Sequence, residues 1–155
     1  MAIAAKVQEQ LSEHGIEYRL VPHPRTYSTR QSALEAYVAE DHIAKAVVVK
    51  DDGGYVMVVV PGNSWVKLEA LQDELDRQLD LAAEEEIDPL FPDCRPGAIP
   101  PLGRAYGLET CLDQALTTLA NVYFEAGDHE ELVHVSGEAF RILLQGARQG
   151  HFSHE

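Results

Sequence analysis

Basic side chains are scarce: 12 Lys and Arg stand against 26 Asp and Glu, a formal charge of −14 over 155 residues. That charge repels a phosphate backbone and excludes a broad nucleic-acid surface, leaving room only for local contact through one or two cations. Cysteine is scarcer still. Cys94 and Cys111 have no C-x-x-C spacing, so both are expected as reduced thiols and not as a disulfide framework. No apolar run approaches the roughly 20 residues that span a bilayer. The segment Met1-Ala2-Ile3-Ala4-Ala5-Lys6-Val7 also lacks the apolar block of a signal peptide. A cytoplasmic protein without a membrane partner is the expectation. Catalytic signatures are missing too: there is no G-x-S-x-G elbow, no Walker loop and no H-E-x-x-H. His129 and His134 fit no zinc spacing, so neither metal nor cofactor is expected.

What is present reads as one domain, residues 1–155, with alternating helical and strand patterns around one core. Ile3, Val7 and Leu11 recur every four residues and Gly15 follows, which predicts a helix over about residues 2–14. Alternation from Ile16 to Val21 predicts a half-buried strand, stopped by Pro22 and Pro24. Ser28 or Thr29 can cap a second helix with Ala33, Leu34, Ala36, Tyr37 and Val38 on its buried face. Ile43–Val49 and Tyr55–Val60, joined by Asp51-Asp52-Gly53-Gly54, form the clearest hairpin signal, with both faces covered. Leu68, Leu71 and Leu75 then mark a helix, and Leu79–Ala83 a short strand. Glu84-Glu85-Glu86 opens an acidic, solvated helical turn. Strands are expected near Leu108–Leu112, Asn121–Glu125 and Leu132–Val135, before a last helix capped by Ser136. The tail after Gly146 reads as loose.

Two features stand out. Gly97-Ala98-Ile99-Pro100-Pro101-Leu102-Gly103 is a shaped loop: the prolines fix φ while the flanking glycines reach conformations closed to other residues. It is either an ordinary turn or a row of backbone amides offered to a carbonyl or carboxyl group. Lys45 interrupts an apolar strand on the face shared by Ile43, Val47 and Val49. An ammonium there must pair, reach an edge, or meet an anionic ligand. His134, on a short strand, reads as a pocket or core imidazole, and Lys50 as a solvated surface residue.

Lys45 on its strand, the G-x-x-x-P loop from Gly97 to Pro101, and His134-Val135-Ser136-Gly137 resemble, in order and spacing, the YbaK/prolyl-tRNA synthetase-associated editing domain family. The likeness is to its free-standing bacterial branch. It implies an α+β fold: one mixed, partly closed, barrel-like sheet wrapped by helices. It also implies hydrolysis of the ester in a mischarged aminoacyl-tRNA, at the terminal adenosine. On this resemblance Lys45 meets the phosphate near that adenosine. Lys45, Gly97 and Pro101 form the catalytic set, and Ala98, Ile99, Pro100, His134 and Gly137 bind the aminoacyl group. The implied partners are the 3′ end of an aminoacyl-tRNA and, beyond it, a synthetase or elongation factor. Ala46 stands where several branches carry Asn or Thr, so no particular amino acid is implied, and His129 receives no role. A module of the same fold that binds a small carboxylate, an aminoacyl adenosine or a protein without turnover is the alternative.

Overall fold

Asp51-Asp52-Gly53-Gly54 turns the chain back on itself because Gly54 takes φ +134°, a conformation that disfavours a side chain. Asp51 secures the same turn, its carboxylate accepting from the Gly53 amide at 2.7 Å and from Arg77 at 2.6 and 2.7 Å. The Arg77 guanidinium holds the Asp51 carboxyl down at about 2. A computed structural model describes residues 3–23 and 38–154. The helix expected after Ser28 lies outside the described residues except for Val38.

The described elements, in order, are α1 (Ala5–Glu13), β1 (Arg19–Pro22), β2 (Ala44–Asp51), β3 (Gly54–Pro61), β4 (Trp65–Val66) and α2 (Leu68–Leu75). Next come β5 (Asp80–Leu81), α3 (Glu84–Ile87), β6 (Glu109–Asp113), β7 (Asn121–Glu125), β8 (Glu131–Ser136), α4 (Gly137–Leu143), β9 (Arg148–Gly150) and β10 (Ser153–His154). Five strands form a mixed sheet in the order β5-β2-β3-β6-β9, in which β6 runs parallel to both β3 and β9. A second sheet, β1-β8-β7, is antiparallel, and β10 pairs with β4. A parallel bridge between Ile43 and Tyr123 joins the two larger sheets at one seam. The fold is α+β with mixed strands, as expected, and the sheet stays open where partial closure was expected.

The valine-rich hairpin is covered on both faces, which is why its apolar run is nearly continuous. Val49, Val56, Val58 and Val60 pack with Leu71, Leu79, Cys111 and Phe152 on one side. Val48, Met57 and Val59 pack on the other with Val7 and Leu11 of α1, Phe124 and Val133 of the second sheet, and Phe140 of α4. Each such fully buried side chain contributes about 1.5–3 kcal/mol. Ser136 caps α4 as predicted, accepting from Ala139 N at 3.0 Å.

Two expectations need correcting. The stretch after Gly146 is woven into the sheets: β9 extends the five-stranded sheet, Phe152 is buried, and β10 holds β4. Its polar composition hid this, because a short edge strand needs few apolar residues. Lys50 and Glu86 are not simply solvated either, since they form an ion pair at 2.5 Å.

Candidate active site

Strand alternation puts Lys45 on the side of β2 that carries Val47 and Val49, opposite Val60 across the hairpin. It sits at the strand's open end, half-buried. Its ammonium donates to the Ser64 carbonyl at 2.8 Å and lies 5.6 Å from the centroid of the Trp65 ring. Among the described residues it makes no ion pair. Burial draws its pKa below the ordinary lysine value, and the charge of Glu40 offsets part of that. A carbonyl and an indole face steer the cation without neutralising it, which leaves it able to receive an anion.

The seam relates Lys45 to the rest of the site. Ile43 and Tyr123 form the bridge, and two residues further along the two parallel segments stand Lys45 and Glu125, on the same sides as Ile43 and Tyr123. Glu125 is buried between two imidazoles, with His23 Nε2 at 3.7 Å from one carboxylate oxygen and His129 Nδ1 at 3.7 Å from the other. The other ring nitrogen of His129 donates to the Pro96 carbonyl at 2.9 Å. Arg95 N donates to Gly127 O at 2.8 Å, so the Gly127-Asp128-His129 turn grips the residues just before the Gly97 loop at two points. His129 itself takes φ +59°, and Asp128 stabilises the turn by accepting from Glu130 N and Glu131 N. A chain of contacts thus runs from Glu125 through His129 to Pro96, the residue before Gly97.

The loop is anchored on its apolar side. Ala98, Pro100, Pro101 and Leu102 are buried, with Ile99 packed against the main core, while Gly97 is exposed at φ +80°. Not all of its amides face outward, since Ala98 N donates to Arg95 O at 3.1 Å. With no N–H on either proline, Gly97 and Ile99 remain as donors at this end of the loop for which no backbone partner is found among the described residues.

His134 pairs directly with Tyr123 across β8 and β7, on the same face of the second sheet as Glu125, and stacks on the Tyr123 ring at 4.5 Å. Its Nε2 donates to Asn121 Oδ1 at 2.8 Å, so Nδ1 accepts from Arg19 at 3.3 Å. Burial, then the Arg19 charge, holds its pKa below the ordinary imidazole value. It opens on a cavity of about 650 Å³ whose lining includes Tyr18, Arg19, Asn121 and Ser136. Neither Lys45 nor the Gly97 loop belongs to that lining. Gly137 has a packing reason to be glycine: its amide donates to Ala120 O at 2.8 Å, and a Cβ would run into the Leu119 carbonyl.

His129 is the residue that sequence reading passed over. The signal was present in Gly127-Asp128-His129, a turn triplet next to a strand, but its contact with Pro96 spans 33 residues. The thiols are poor nucleophiles here, since burial raises Cys94 to about 12 and Cys111 to about 11. Among the described residues, no three His, Cys, Asp or Glu side chains are arranged to hold a metal ion.

A family model described as an aminoacyl-tRNA editing domain matches residues 23–143. A proline--tRNA ligase from Geobacillus thermodenitrificans is 27% identical over 138 residues. That alignment takes in 88% of this chain and 24% of the ligase, so the chain spans about a quarter of this curated relative. Among solved structures, hypothetical protein APE2540 superposes with a TM-score of 0.85 at 24% identity, covering 96% of this chain and 99% of its own. A candidate trans-editing enzyme for prolyl tRNA synthetase gives 0.82 at 22% identity, covering 97% and 96%. These structures share the fold.

Proposed function

The chain belongs to the aminoacyl-tRNA editing domain family, and from that premise we propose that it acts in trans on mischarged aminoacyl-tRNA, hydrolysing the ester at the terminal adenosine. The observation that carries this reading is the Lys45 ammonium: half-buried, drawn toward neutrality, and without an ion-pair partner among the described residues. Lys45 binds the phosphate next to the terminal adenosine, and the Gly97 loop receives the aminoacyl group. The amides of Gly97 and Ile99 orient and polarise the ester carbonyl, while Pro100 and Pro101 keep the loop in shape. Water, positioned by the loop or by a neighbouring ribose hydroxyl, adds to that carbonyl. The ribose oxygen leaves with a proton, giving the free amino acid and the uncharged tRNA. No side-chain nucleophile is needed, in keeping with the protonated state of both thiols.

Only the strand end has to enter the site, which fits a protein of charge −14. Incubating the purified protein with a panel of mischarged tRNAs, and following release of labelled amino acid, tests the reading. At least one mischarged species should be deacylated faster than the matched correct one. Retention of every ester at the buffer rate would remove it.

A further inference from the structure

Trp65 is the single tryptophan of the chain and it is 69% exposed, so the core gains little from it. Its backbone is nevertheless held firmly. Trp65 pairs with His154 across β4 and β10, Lys67 N donates to Phe152 O at 2.6 Å, and Ser64 N donates to Pro61 O at 3.0 Å. A rigid strand therefore presents a large aromatic surface to solvent, with the Lys45 ammonium 5.6 Å from the ring centroid. Among the described residues, the other exposed apolar side chains do not extend this surface. Leu81 of β5 pairs with Val49 toward the other end of β2, Leu20 lies on β1 of the second sheet with Tyr18 just before it, and Ile142 lies on α4. A ring set apart from the other described apolar side chains, beside a cation, is a poor protein-docking patch, but it matches the two parts of a nucleotide, a flat base and an anionic phosphate. Stacking also suits an acidic protein, because a π-face attracts a base without requiring further cations.

We propose that Trp65 is the platform on which the terminal base of the RNA strand stacks while Lys45 holds the adjoining phosphate. This rests on the role of Lys45 given above and adds base recognition to it. The base lies against the indole face turned away from Lys45. Stacking fixes the terminal nucleotide, and the ester beyond the ribose is then delivered toward the Gly97 loop. Trp65 is a binding residue, so its loss acts on KM and leaves the chemical step alone.

Two measurements test this. The trinucleotide CCA should quench the fluorescence of this lone indole, and the same oligomer with an abasic 3′ position should not. On a mischarged tRNA that the wild type deacylates, Trp65→Leu should raise KM roughly tenfold with kcat within about twofold, and Trp65→Phe should restore most of the loss. Because the residue is exposed, the thermal midpoint should not move. Equal response to both oligomers, or a wild-type KM in Trp65→Leu on a substrate that the wild type hydrolyses, would overturn the platform and leave the Lys45 reading standing. Selective quenching by CCA in a protein that hydrolyses no mischarged tRNA would support the platform and remove the deacylase reading.

Discussion

Lys45 and Lys50 lie on the same strand, on opposite faces, and their surroundings are opposed. Lys50 is matched to Glu86 at 2.5 Å, with Tyr55 donating to the same carboxylate, and the hydrogen bond to Glu86 chiefly raises its pKa. Among the described residues Lys45 touches a carbonyl and an aromatic ring, and burial lowers its pKa, partly offset by the charge of Glu40. One lysine has its counter-ion built into the fold, while burial works against the charge of the other. A fold that needed a cation only for stability would supply a carboxylate at both ends. The unmatched end is the one that adjoins the Ile43–Tyr123 seam.

The largest expected effect falls on Lys45. Charge-assisted hydrogen bonds are worth about 1.5–3 kcal/mol, so Lys45→Ala should lower kcat/KM for deacylation by roughly ten- to a hundredfold. Its thermal midpoint should hold or rise, because the charged form is already penalised by burial. Lys45→Arg should recover only part of the rate, since a planar fork places its charge elsewhere. Wild-type kinetics in Lys45→Ala would erase the distinction between the two lysines.

His129→Asn should come next. Asparagine tolerates the left-handed backbone but is too short to reach the Pro96 carbonyl. The lost hydrogen bond, about 0.5–1.5 kcal/mol, predicts a three- to tenfold fall in kcat/KM, read in the same assay. An unchanged rate would mean that the Gly97 loop keeps its place without His129.

A smaller effect concerns acid. The folded pKa of His134 is depressed, so as pH falls the unfolded chain takes that proton first. The stability contributed by neutral His134 is fully present above the ordinary imidazole value and is lost as pH falls through the folded one. Urea midpoints measured from about pH 7.5 down to about 5.5 should therefore drop less in His134→Gln than in the wild type. The smallest effect on activity belongs to Lys50→Ala, which should deacylate like the wild type and show only a slightly lower thermal midpoint. Equal losses from Lys45→Ala and Lys50→Ala would mean that diffuse charge, not a specific phosphate contact, drives binding.

The hairpin, α1, β7 and the Ser136 cap were legible because each is written locally, in a period or a turn residue. Lys45 was legible as an anomaly, a charge inside an apolar strand. What stayed hidden depends on contacts between distant segments: β9 pairing with β6, β10 holding β4, and His129 reaching Pro96. The loop's donor set was overestimated for the same reason, since the turn that consumes the Ala98 amide shows only in three dimensions. Trp65 carried no periodic signal, and its exposure depends on how a two-residue strand is clasped.

That clasp also bears on the order in which the molecule assembles. The β2–β3 hairpin closes a loop of a few residues, whereas β4 must wait for β10, which follows it by nearly ninety positions at Val66 and Ser153. Pairings of such long sequence separation are slow, because chain entropy is surrendered before the contacts return it. The corner that holds Trp65 beside Lys45 is thus expected to order late, after the hairpin that carries Lys45 has formed. In pulse-labelled refolding, amide protection at Val66 and Lys67 should lag behind that of Val47 and Val58.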